Sequence, residues 1–160
     1  MTTLFVTHDA CLQHLMPPGH PERPARLAAI NETLSGSDFS ALARREASEG
    51  TLEAIRLCHS EHYVEELRYI APKEGFAFID ADTSMSPGSW AAMLRSVGGA
   101  VDAVDAVLGG AADNAFVAVR PPGHHAEIAR PMGFCFFDNA AIAARHAQRS
   151  HGIGRVAIVD

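Results

Sequence analysis

Residues 120–139 read RPPGHHAEIARPMGFCFFDN, and they lie between segments of two different periodicities. Just upstream, Ala115 to Val119 is a short apolar run of β type. Just downstream, Ala140 to Ser150 has helical character, and Arg155 to Val159 is a second apolar run. Strand, long loop, helix and strand in that order make a βαβ unit, which commits the chain to a parallel sheet covered by helices. A strand-to-helix loop of about twenty residues is far longer than usual, and such loops are either functional or disordered. The apolar and aromatic residues from Met132 to Phe137 argue against disorder. In open α/β sheets the ligand crevice forms at the carboxyl ends of the strands, and this loop leaves from such an end.

The rest of the chain supplies the cover. Leu4 to Thr7 reads as a first strand ending at His8, followed by a loop rich in His and Pro from Cys11 to Pro24. Pro24 suits the first turn of a helix carrying Leu27, Ile30 and Leu34, with Gly36 as its stop. Thr51 caps a short helix through Leu57, and Ser60 caps another that buries Val64, Leu67 and Ile70. Lys73 to Ser86 reads as a loop. Pro87 opens the longest helix, which runs to Leu108 with Met93, Val97, Val101 and Val104 on its apolar stripe. Gly98-Gly99 inside it costs roughly 1 kcal/mol per Gly relative to Ala, a cost tolerated where a neighbouring backbone packs close. Asp138 or Asn139 caps the next helix and Gly152 ends it. Arg155 to Val159 is expected as a buried parallel strand with Asp160 at its carboxyl end, so the chain reads as an interrupted domain.

Length and composition exclude several classes. The 160 residues suit one domain with a real core. A net charge of −6 argues against sequence-independent nucleic-acid binding, which calls for a basic surface. No run approaches the roughly 18 apolar residues of a membrane span, and Met1 to Leu15 lacks the pattern of a signal peptide. Cys11, Cys58 and Cys135 are odd in number, widely spaced and form no CxxC, so no disulfide framework and a reducing cytoplasm are expected.

Chemistry concentrates in the central loop. His124 and His125 are either a structural pair or an acid and a base aimed into one crevice by the stiff Pro121-Pro122-Gly123 lead-in. Imidazole titrates near neutral pH, and a close pair pushes its two pKa values apart. As metal ligands they lack a partner at the HExxH spacing or a Cys cluster. Cys135 is a candidate nucleophile or, between Phe134 and Phe136, an inert core thiol.

R-P-P-G-H-H-A at 120–126 followed by G-F-C-F-F-D-N at 133–139 resembles the histone deacetylase family, in particular the class II and bacterial histone deacetylase-like amidohydrolases and acetylpolyamine amidohydrolases. H-P-E-R-P-A-R at 20–26, C-H-S-x-x-Y-V at 58–64 and D-A-D-T-x-x-S-P-G-S-W at 80–90 extend the resemblance over essentially the whole chain. It implies an α/β, arginase/deacetylase-like three-layer fold with a central parallel sheet, of which residues 1–160 form the N-terminal part of a single deacetylase domain. It implies zinc-dependent hydrolysis of an N-acetyl amide, with an acetylated lysine or polyamine as substrate. His124 then helps stabilise charge and His125 acts as general base and then acid. Gly133 and Phe134 match the wall of the acyl tunnel. Asp82 or Asp80 matches a substrate-contacting aspartate, with a plain turn residue as the alternative for Asp82. Asp160 matches an acidic residue that orients the first His and helps hold a monovalent cation such as K+; its alternative is a solvated terminus. The family's zinc ligands follow that position and have no match in residues 1–160. The competing reading is an inactive remnant or interaction module without those ligands.

Overall fold

The structure is a computed structural model describing residues 1–160. A three-stranded parallel sheet orders β2 (Ala43–Glu46), β1 (Thr3–Thr7) and β5 (Asn114–Val117), with Leu4 opposite both Ala43 and Ala115. Side chains alternate along β1, so its two faces feed two layers. Leu4 and Val6 bury against Ala103 and Ala106 of α4 (Ser89–Leu108). Phe5 buries on the opposite face with Leu27 of α1 (Pro24–Leu34) and Cys11. The result is helix, sheet, helix, as the βαβ reading requires.

The largest core cluster lies beyond the sheet, between α4 and the central loop. It joins Ile55 of α2 (Leu52–Ile55), Tyr63, Val64 and Leu67 of α3 (Glu61–Ile70), Met93 and Val97 of α4, Phe136, Phe137, and Ile142 of α5 (Asn139–His151). Start signals are met at three of these helices. Thr51 Oγ1 accepts from Ala54 N at 3.1 Å, Ser60 Oγ from Tyr63 N at 3.3 Å, and Asp138 Oδ1 from Ala141 N at 2.9 Å. Gly152 ends α5 in the left-handed region at φ 68°. Gly98 has the close neighbour its cost demands: a Cβ there would fall on Ser48 O and 2.7 Å from Gly50 N.

Several expectations need correction. Arg155–Val159 forms no strand; the segment is exposed, Val159 at 95%, and makes no sheet pairing. An apolar run becomes a strand only where a sheet edge and two covering layers receive it, and here none does. β2 carries no strand signal in its sequence, ARRE, which has one half-buried residue and three exposed ones. Lys73–Ser86 is not wholly a loop: Ala77–Phe78 (β3) and Ser84–Met85 (β4) pair antiparallel. The long helix begins at Ser89, two residues after Pro87, and the His- and Pro-rich loop opens with a 3-10 turn at Asp9–Gln13. No helix is long and apolar enough to cross a membrane.

Candidate active site

The loop from Ala118 to Asp138 leaves β5 at its carboxyl end and returns into α5. His124 and His125 are both exposed, with ring centroids 4.1 Å apart and planes at 49°. Gly133 forms the floor beneath His125. It sits at φ 57°, and a Cβ there would lie 2.7 Å from His125 Cδ2, so both backbone and space demand glycine. Phe134 follows at φ 69°, unusual for a residue with a bulky side chain and strained by about 1–3 kcal/mol. Two contacts hold it: its N–H donates to Thr83 Oγ1 at 3.2 Å, and its ring meets that of His20 edge-on at 4.8 Å. The Gly133-Phe134 turn therefore packs against His125, His20 and Thr83 together.

His20 connects the Gly133-Phe134 turn to the β3–β4 turn. Its Nδ1 accepts from Glu22 N at 3.1 Å, so the Nε2–H faces Asp82 O at 3.0 Å and donates to it. The geometry also separates the two aspartates. Asp80 Oδ1 accepts from Asp82 N and Thr83 N at 3.0 and 2.7 Å, closing the turn. Burial opposes ionisation of Asp80, but these N–H donors hold its carboxyl below the usual range. Asp82 is exposed one residue before the Thr83 that binds Phe134, and its carboxylate accepts only from Thr83 Oγ1, at 3.1 Å.

At the start of the loop lies a charged frame whose role the residue pattern did not disclose. Arg120 opens the loop and is 4% exposed. It grips the 2%-exposed Glu22 through both carboxylate oxygens, Nη2 to Oε2 at 2.6 Å, and donates to Cys11 O and His14 O at 2.9 and 3.0 Å. His14 is fully buried, with Nδ1 2.6 Å from Ser89 Oγ. Burial, and after it the nearby Arg120 charge, push its pKa down to about 3, so it stays neutral. A parallel frame holds the far end of the loop: His59 Nε2 accepts from Asp138 N at 2.8 Å, and Tyr63 OH donates to Phe136 O at 2.7 Å. Cys135 is fully buried and its thiol is pushed up to about 11 by burial, which makes it a core residue and not a nucleophile.

Comparison with known proteins decides the family. Residues 20–160 match the histone deacetylase domain. The chain belongs to the histone deacetylase family. It is 35% identical to the histone deacetylase-like amidohydrolase of Pseudomonas aeruginosa, over 99% of this chain and 46% of that protein. It is 36% identical to a probable deacetylase of Archaeoglobus fulgidus, over 100% of this chain and 45% of that one. With the human polyamine deacetylase HDAC10 it shares 38% identity over 87% of this chain and 22% of that protein. The crystal structure of the HDA15 HD domain superposes with a TM-score of 0.87 at 29% identity, covering 94% of this chain and 44% of that one. The chain thus spans less than half the length of these relatives.

No group of three metal-ligating side chains converges around His124 and His125. The one group of three side chains whose ligand atoms converge is Asp105, His146 and His151, on α4 and α5. Nor does the structure bring Asp160 onto the pair; it stands at the end of the exposed segment 152–160, in which only Ile153 is poorly placed for solvent. A concavity of about 770 Å³ opens against the loop between His59, Ile128, Asp138 and Arg145, and the His pair does not line it.

Proposed function

We propose that this chain supplies the proton-transfer pair and the acyl-tunnel wall of an enzyme that hydrolyses N-acetyl amides, with an acetylated lysine or polyamine as substrate. The observation that carries the reading is the pair of exposed imidazoles 4.1 Å apart, with His125 on the glycine floor of a strained Gly133-Phe134 turn. In this reading His125 takes a proton from the attacking water and returns one to the departing amine, while His124 stabilises the charge that develops beside it. Phe134 lines the channel for the acylated side chain. A neutral acetylated chain enters such a wall readily, whereas the free ammonium of the product loses hydration there and leaves. Asp82, exposed at the rim next to Thr83, binds the substrate outside the channel. Family resemblance adds Asp160 as a support for His124 beside a monovalent cation, and zinc held by ligands other than those around the pair.

The test is turnover of an acetyl-lysine peptide and of an acetylated polyamine by the protein expressed from its native gene. His125→Ala should lower kcat by at least about a hundredfold, the scale of general acid–base catalysis. Near-normal turnover in that variant removes His125 from its role.

A further inference from the structure

On the α4–α5 side of the molecule, three side chains outside the deacetylase loop point at one spot. Asp105, on the last turn of α4, has its Oδ1 2.6 Å from His146 Nε2 and 2.7 Å from His151 Nε2. All three potential ligand atoms lie within 4.8 Å of one another. His146 and His151 are five apart on α5, so at about 100° per residue their side chains leave the helix about 140° apart. They therefore reach the carboxylate from two sides, with ring centroids 5.7 Å apart and planes at 73°. The two imidazoles are largely covered, at 16% and 25% exposure, and Asp105 is the most exposed member at 47%.

The surroundings suit a cation. Asp105 Oδ1 already takes a hydrogen bond from each imidazole, so one carboxylate oxygen faces both ring nitrogens. A cleft of about 330 Å³ opens beside it, and its charged lining is Glu49, Glu53, Asp102 and Asp105 against the single guanidinium of Arg149. Ser150 Oγ stands 3.3 Å from His146 Nδ1. That hydroxyl is placed to accept from Nδ1–H when Nε2 is given over to a metal, the outer hydrogen bond that orients a ligating imidazole.

We propose that Asp105, His146 and His151 bind a divalent transition metal ion of the zinc type, with the fourth coordination position open to the acidic cleft. Two imidazole nitrogens and one carboxylate oxygen are a donor set that zinc accepts, at about 2.0–2.2 Å each. Oxygen-preferring ions such as magnesium and calcium are poorly served by two nitrogens. A small swing of the exposed Asp105 carboxylate makes room between the three atoms.

The experiment is calorimetric titration of the chain with zinc chloride, with bound metal counted after dialysis, in the wild type, in His151→Gln and in the His146→Gln/His151→Gln pair. One equivalent should bind the wild type and raise its unfolding temperature. Affinity should fall at least tenfold in His151→Gln and saturable binding at this site should vanish in the pair. His151 is the last residue of α5, so the single variant keeps the helix and remains decisive if the pair fails to fold. No saturable binding in the wild type, or the same stoichiometry and affinity in His151→Gln, overturns the proposal and leaves a carboxylate that merely ties two histidines to α4. Zinc held elsewhere in the protein is distinguished because these substitutions leave it in place.

Discussion

Replacing Arg120 by Met tests how the His loop is held. The substitution removes the only cation touching Glu22, which is 2% exposed, and takes the donors from Cys11 O and His14 O as well. Leaving a buried charge without its partner costs about 3–5 kcal/mol. With an m-value of about 2 kcal/mol/M in urea, a loss of about 4 kcal/mol lowers the unfolding midpoint by about 2 M. That is a large share of the 5–15 kcal/mol typical of a whole domain. Trp90, the only tryptophan, packs edge-on to Phe137 at 6.1 Å and reports the transition by fluorescence. The measurement belongs at pH 8, because His14 Nε2 lies 3.7 Å from Glu22 Oε2 and could relieve the stranded carboxylate by taking a proton in acid. The second arm replaces both partners, Glu22→Leu with Arg120→Met. With no charge left to strand, the double variant should be more stable than Arg120→Met alone. A midpoint within about 0.3 M of wild type in Arg120→Met refutes the reasoning, since the quoted penalty would then be absent. A double variant no more stable than Arg120→Met alone refutes it equally.

Gly98→Ala should destabilise the chain by about 1–3 kcal/mol, since the new Cβ meets the backbone at Ser48 O and Gly50 N, which outweighs the roughly 1 kcal/mol gain in helix propensity; a raised melting temperature would contradict the close approach of α4 to residues 48–50. Acid should weaken the fold through His14. Its folded pKa, about 3, lies below its unfolded value of about 6.5, so the unfolded chain takes up the proton first and stability falls as pH drops through that window. The loss from this one group between pH 6.5 and 5.5 should be about 1 kcal/mol, with His59, also lowered by burial, acting in the same direction. A His14→Gln variant that keeps the full pH slope of the wild type would assign the effect elsewhere.

What the sequence announced, and what it hid, divides along range. Caps are local, so Thr51, Ser60, Asp138 and Gly152 were readable as helix starts and stops, and the structure uses each. Strand β1 was readable because Leu4, Phe5 and Val6 have no other home than a buried sheet. Strand β2 was not, because pairing with β1 is all that makes residues 43–46 extended, and nothing in Ala-Arg-Arg-Glu records that neighbour. Arg155–Val159 shows the converse error: its composition asks for a sheet, and composition cannot supply the edge that would accept it.

The site shows the same division more sharply. The motif residues His20, Glu22, Arg120 and Phe134 were visible as letters, but their work is done on partners 51 to 114 residues away: Phe134 on Thr83, His20 on Asp82 and Phe134, Glu22 on Arg120 at a separation of 98. A motif thus states which residue types must meet without stating whom each must meet. The physical need for the frame follows from the pair itself. Two exposed imidazoles on a long loop, backed by a turn with a positive-φ phenylalanine, have no conformation of their own to hold them. Their geometry has to be over-determined by buried groups that cannot move independently, and the charged and neutral frames at the two ends of the loop provide that. It follows that changes at Glu22 or Arg120 should alter turnover together with stability although neither side chain touches His124 or His125, whereas a change at His125 should alter turnover while the frame, and with it the unfolding midpoint, stays where it was.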